Sequence, residues 1–153
     1  MKKIAKDYAK YEHAIYLGRD TAYPAAMEGA LKLKEVSYTD ANAYAFGELK
    51  HGPLALVDDR FFEVALVPEG PLLEKSVSNV QEVLARGGHM IVVTNSDDFD
   101  LPVESVVKIT TTLKLFAPLL MNLVMQLLAY YITVDKGYNV DQPRNLAKSV
   151  TVE

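Results

Sequence analysis

Glu28, Lys32 and Glu35 sit at i, i+4 and i+7, so a helix through them puts two carboxylates and an amine on one face. Further along, His51 is bracketed by Gly47 and Gly52 in the string GELKHGP. A carboxylate can act as general base while a neighbouring lysine holds negative charge developing on an oxygen. An imidazole titrates near neutrality, and flanking glycines let backbone and substrate approach closely. Lys148, among the small residues Ala147 and Ser149, could form a Schiff base with a carbonyl substrate if its segment folds over a pocket. Each residue also has a plainer reading. The helix face could be a surface with a Glu–Lys pair worth about a few tenths of a kcal/mol, His51 a turn residue and Lys148 a solvated amine. Spacing leaves both open.

The elements that would position these groups alternate between strand and helix. An opening segment to about Glu12, with Ile4, Ala5, Tyr8 and Tyr11 apolar, reads as a short helix. The runs His13–Leu17, Phe62–Val67, Met90–Thr94 and Val106–Ile109 read as strands buried on both faces, and Ala41–Phe46 as an edge strand. Between them, Pro24 suits the first turn of a helix whose apolar stripe is Met27, Ala30, Leu31, Leu33 and Val36. Gly47–Leu56 reads as a short distorted helix broken at Gly52-Pro53. A further helix runs from Leu72 to Ala85, ended by Gly87-Gly88. The pattern predicts an α/β fold of three layers, a parallel sheet flanked by helices, with ligands outside the carboxyl ends of the strands. The candidate residues follow the first strand, which predicts that they lie on that side. Residues 1–140 form the domain and 141–153 an irregular tail that crosses the surface or closes over a site.

Composition narrows the function. The chain has 153 residues, 50% of them hydrophobic and 24% charged, which predicts one soluble globular domain. A net charge of −4 and no basic run argue against a nucleic-acid partner. The absence of cysteine excludes disulfides and thiolate chemistry and fits a reducing cytoplasm. His13 and His89 each precede a strand and read as structural. The three histidines show no HxH or HExxH spacing, so no metal is expected. Without a GxGxxG or P-loop string, no nucleotide cofactor is expected either. Ala117–Val134 is apolar enough to be mistaken for a membrane span, but predicts a core helix buried on all sides, and no membrane partner.

The strings EGALKLKE, GELKHGPLAL and DQPRNLAKSVTVE resemble the C-terminal part of the glucosamine-6-phosphate synthases, the isomerising glutamine:fructose-6-phosphate aminotransferases. The similarity runs from about His13 to Glu153. In that family a glutaminase domain releases ammonia, and two sugar-isomerase (SIS) subdomains follow; the chain resembles the second, with its tail. The resemblance implies a typically five-stranded parallel sheet, fructose 6-phosphate and glucosamine 6-phosphate as ligands, and a homodimer. It implies that Glu35 moves a proton between C1 and C2 of the open-chain sugar, that Lys32 stabilises charge on the reacting oxygen, and that Glu28 supports that face. His51 would assist ring opening from the neighbouring subunit. Lys148 would form the imine with the ketone, and Ala147 would contact the sugar through its backbone. The family's N-terminal cysteine nucleophile and SxSGxT phosphate loop do not occur in the chain, which predicts a fragment with little synthase activity of its own. The competing expectation is a SIS module that binds sugar phosphate without catalysis.

Overall fold

Five strands form one parallel sheet in the order β2-β1-β3-β4-β5: β1 His13–Gly18, β2 Asp40–Ala45, β3 Phe61–Val67, β4 Met90–Thr94 and β5 Ser105–Lys108. The structure is a computed structural model and describes residues 1–110 and 113–146. Side chains alternate across a strand, so the apolar runs supply two cores at once. Ala14, Tyr16, Phe62, Val64, Leu66, Ile91 and Val93 face α1 (Lys2–Tyr8), α2 (Ala22–Ser37) and α4 (Ala117–Asp135). Ile15, Leu17, Ala65, Val67 and Val92 face α3 (Leu73–Leu84) and the 3-10 turn Phe46–His51. This is the expected three-layer α/β architecture, with the predicted edge strand and a helical turn broken at Gly52. The opening helix ends at Tyr8, short of Glu12, because Tyr8 and Tyr11 both dock on Phe62, at 5.3 and 5.7 Å between ring centroids.

The start of α2 is set by Gly18. A Cβ there would lie 2.7 Å from the carbonyl carbon of Ala22 and 2.8 Å from Cα of Tyr23, all backbone atoms that cannot swing aside. Gly18→Ala is therefore expected to destabilise the fold by about 3 kcal/mol, read as a lower urea midpoint at unchanged slope.

Two expectations about helix faces need correction. Ala30 and Leu33 of the expected stripe of α2 are buried, but Met27 and Leu31 are exposed, and Ala22, Ala26 and Gly29 are buried in their place. Small residues let α2 approach α4 closely. A Cβ on Gly29 would meet Met125 Sδ and lie 2.9 Å from Tyr16 Cε1. The second correction concerns α4, which is buried along one stripe only: Ala117, Met121, Met125, Leu128, Ala129 and Ile132. Its outer stripe, Leu119, Leu123, Leu127, Tyr130 and Val134, faces solvent, with Leu119 66% exposed. Residues 114–135 are long and apolar enough to cross a membrane, with mean hydropathy 1.7, by length and composition alone.

Candidate functional site

On α2 the three predicted side chains do converge. Lys32 Nζ donates to Glu35 Oε2 at 2.6 Å and stands 3.7 Å from Glu28 Oε1. All three are partly exposed, so the cluster is open to a ligand. The hydrogen bond from Lys32 to Glu35 holds the ammonium above its ordinary pKa, although partial burial works the other way. Lys32 therefore stays charged through the neutral range. It is suited to balancing negative charge and not to accepting a proton.

The cluster is not at the carboxyl end of the sheet, where the order of the chain predicted it. Helix α2 begins there but runs back along the sheet to deliver the chain to the amino end of β2. At 1.5 Å per residue, Glu35 lies about 20 Å along the axis from Ala22. His51 closes the turn that follows the carboxyl end of β2 and is exposed, with no side-chain hydrogen bond or ion pair among the described residues. The six residues of β2 separate the two ends by about 20 Å. Within this chain Glu35 and His51 are thus held apart. Of the other histidines, His13 stacks on Phe61 at 4.8 Å and His89 Nδ1 lies 2.8 Å from Glu104 Oε1, structural contacts both.

The segment after α4 passes across the amino end of the sheet and meets Tyr11, Tyr38 and Thr39. Lys136 Nζ donates to Thr39 Oγ1 at 2.8 Å and to the Tyr11 carbonyl at 3.2 Å, and burial lowers its pKa. Tyr138 lies against Tyr38 at 5.0 Å between centroids. The backbone N–H of Arg144 donates to the Tyr38 hydroxyl at 2.9 Å, and its guanidinium sits 4.0 Å from the centre of that ring. Ala147 and Lys148 lie outside the described residues. Sequence reasoning did not single out Tyr38 or Arg144. Their only signal was a tyrosine just past the helix and an arginine four residues before the candidate lysine.

A second feature lies where the strand order reverses, at the carboxyl ends of β1 and β3. Arg19, Thr21, Gly70, Ser76 and Lys114 line a crevice of about 130 Å³. Both its cations are engaged: Arg19 Nη2 with Asn79 Oδ1 at 2.8 Å, and Lys114 Nζ with Glu69 Oε1 at 2.6 Å. Among the described residues no three histidine or acidic side chains converge as metal ligands would.

The model of the SIS domain family matches residues 7–135. A glutamine–fructose-6-phosphate aminotransferase (isomerizing) of Sphingobium yanoikuyae is 53% identical over 91% of the chain and 91% of its own length. The chain belongs to this aminotransferase family, as a SIS domain. The enzyme of the same name from Idiomarina loihiensis is 51% identical over the whole chain, but the chain spans only 25% of it. Among solved structures, the C-terminal domain of glucosamine-fructose-6-phosphate aminotransferase from Francisella tularensis superposes with a TM-score of 0.87 at 44% identity, over 92% of the chain and 40% of that domain. The match to the SIS family takes in all of α4, so that helix is an integral layer of the SIS fold.

Proposed function

We propose that the chain is the second sugar-isomerase unit of a glutamine–fructose-6-phosphate aminotransferase, working in hexosamine biosynthesis in the cytoplasm. The observation that carries this reading is the Glu28–Lys32–Glu35 face, where one ammonium bridges two carboxylates on an open helix surface. Lys148 forms an imine with the C2 ketone of open-chain fructose 6-phosphate, releasing water, and ammonia then displaces the lysine. Glu35 takes a proton from C1 and returns it to C2 while the C1 hydroxyl proton passes to the nitrogen, so that C1 becomes the aldehyde and C2 carries the amine of glucosamine 6-phosphate. Lys32 balances charge on the oxygen at C1, Glu28 holds Lys32, and the Ala147 backbone contacts the sugar.

The separation of His51 from Glu35 supports a site shared between two subunits, in which His51 assists ring opening in its neighbour. The chain spans about a quarter of its full-length relatives. In this reading the rest of such an enzyme supplies ammonia and the phosphate grip. The outer stripe of α4 then packs against that remainder or a second subunit and not against lipid.

Borohydride reduction in the presence of fructose 6-phosphate, followed by mass spectrometry, tests the assignment. A reduced adduct on Lys148, absent from Lys148→Arg, is the expected result. A folded protein that binds the sugar phosphate without any adduct would leave a binding module in place of a catalyst.

A further inference from the structure

We propose that Glu63 is the catch of a pH-sensitive latch. While its carboxyl is protonated the turn 57–60 closes over it, and ionisation releases that turn, the far anchor of the excursion that carries His51. Glu63 lies in the middle strand of the sheet at 0% exposure, and neither carboxyl oxygen has a hydrogen-bond partner among the described residues. A carboxylate buried without a donor is far costlier than the neutral acid, so the closed cover selects the acid. Beside it on the sheet are Ile15 of β1 and Met90 of β4, both buried and fixed by the strand ladders. Over it, a Cβ on Gly88 would stand 2.9 Å from Glu63 Oε2 and 3.2 Å from Val57 Cγ1. Strand, glycine turn and Val57 therefore meet at one point, and of Gly88 and Val57 only Val57 is partly exposed.

That turn is the part of the cover that opens at least cost. It follows the 3-10 turn Pro53–Leu56, which buries no residue. Its own bonds are long, 3.4 Å from the Val57 N–H to the Leu54 carbonyl and 3.3 Å from the Phe61 N–H to the Asp58 carbonyl. Weakly bonded surface segments of this kind open before strands and core helices do. The other end of the excursion is firm, since Phe46 and Leu49 are fully buried in the α3 layer. Release at Val57 thus frees the chain after His51 and leaves the chain before it docked. Any effect on catalysis rests on the reading of His51 given above, whereas the latch itself does not.

The surrounding charges favour the closed acid. On the turn, Asp58 is held by Arg60 at 2.6 Å. Before β5, Glu104 is held by His89 at 2.8 Å and by the Tyr8 hydroxyl at 2.9 Å. On β1, His13 is drawn to Asp40 at 3.6 Å, and past α3 Arg86 donates to the Glu82 carbonyl at 2.7 Å. Each cation is thus engaged elsewhere, and Glu63 forms no ion pair among the described residues. Burial first, and then the charges of Glu104 and Asp58, push its pKa up to about 8, against 4.5 for the exposed group. With the turn open, water reaches the carboxyl and it ionises as an exposed one. Between those two values the open form binds fewer protons, so its population grows about tenfold per pH unit.

Amide hydrogen exchange, read by NMR between about pH 5.5 and pH 7.5, tests the latch. After correction for the intrinsic rise of exchange with pH, the Val57 and Phe61 amides of the parent should quicken a further tenfold or so per unit. They should also stay faster than the ladder amides of β1 and β4, whose exchange needs the sheet to open. In Glu63→Gln the corrected rates should be flat. Glu63→Val, apolar and suited to a strand, gives the same reading if glutamine prevents folding. Flat corrected rates in the parent would overturn the latch, as would an equal rise in Glu63→Gln. So would Val57 and Phe61 amides that exchange no faster than the ladder, because the opening would then be global unfolding.

Discussion

Glu35→Gln is expected to slow deuterium exchange at C1 of fructose 6-phosphate about a thousandfold, the scale of a lost general base. The measurement needs a complete enzyme, so the chain is placed in a chimera in which it replaces the matching quarter of a full-length relative. Glutamine keeps the shape of the side chain and can still accept from Lys32, whose Nζ lies 2.6 Å from Glu35 Oε2. It cannot take a proton from carbon. Sugar affinity and the unfolding midpoint should therefore stay close to the parent's while exchange collapses. Glu28→Gln touches only the longer arm of the cluster, at 3.7 Å, and should cost about tenfold or less. Exchange that proceeds at the parental rate in Glu35→Gln would reduce the whole face to a surface ion pair. That was the plainer of its two readings from spacing.

The middle of the sheet was legible because β1, β3 and β4 are nearly continuous apolar runs, as strands covered on both faces need, whereas β5, expected to be buried on both faces, is a half-exposed edge strand. The i, i+4, i+7 spacing also told correctly which side chains meet. It could not tell at which end of the sheet they meet. Being after β1 in sequence suggested the carboxyl end, yet a helix of sixteen residues is long enough to carry its last turns back to the amino end. The faces of α2 and α4 were misjudged for a related reason. Hydrophobicity marks a residue as able to be buried, whereas contact between α2 and α4 is set by small size at Ala26, Gly29 and Ala30. The outer stripe of α4 is as apolar as its buried one, so hydrophobicity alone marked it as core although it faces solvent in this chain. The Tyr38 attachment joins residues 106 positions apart through a hydroxyl and a ring. No local pattern announces such a pairing.

Glu63→Gln is expected to remove most of a pH dependence that the parent carries between about pH 4.5 and pH 8. Glu63 has the parity of Ala65 and Val67 on β3 and is fully buried toward the α3 layer. Neither carboxyl oxygen has a hydrogen-bond partner among the described residues. Room for the group comes from Gly88, where a Cβ would stand 2.9 Å from Glu63 Oε2. Burial first, and then the negative charges of Glu104 and Asp58, push its pKa up to about 8. Glu104 is itself paired with His89 at 2.8 Å and Asp58 with Arg60 at 2.6 Å. In the unfolded chain the same carboxyl ionises near 4.5. Between those values the folded state holds a proton that the unfolded state has released, so unfolding becomes easier as pH rises. The loss begins near 4.5, is complete above 8, and amounts to about 3–5 kcal/mol. Urea melts at pH 5 and pH 9 should thus show the parent losing that much more than Glu63→Gln, with the two proteins similar at pH 5. Parallel curves would mean that Glu63 is hydrated and ionises as an ordinary carboxylate. Residue 88 has no room for a side chain from either side, since a Cβ there would also run into Val83 Cγ1 and stand 3.2 Å from Val57 Cγ1.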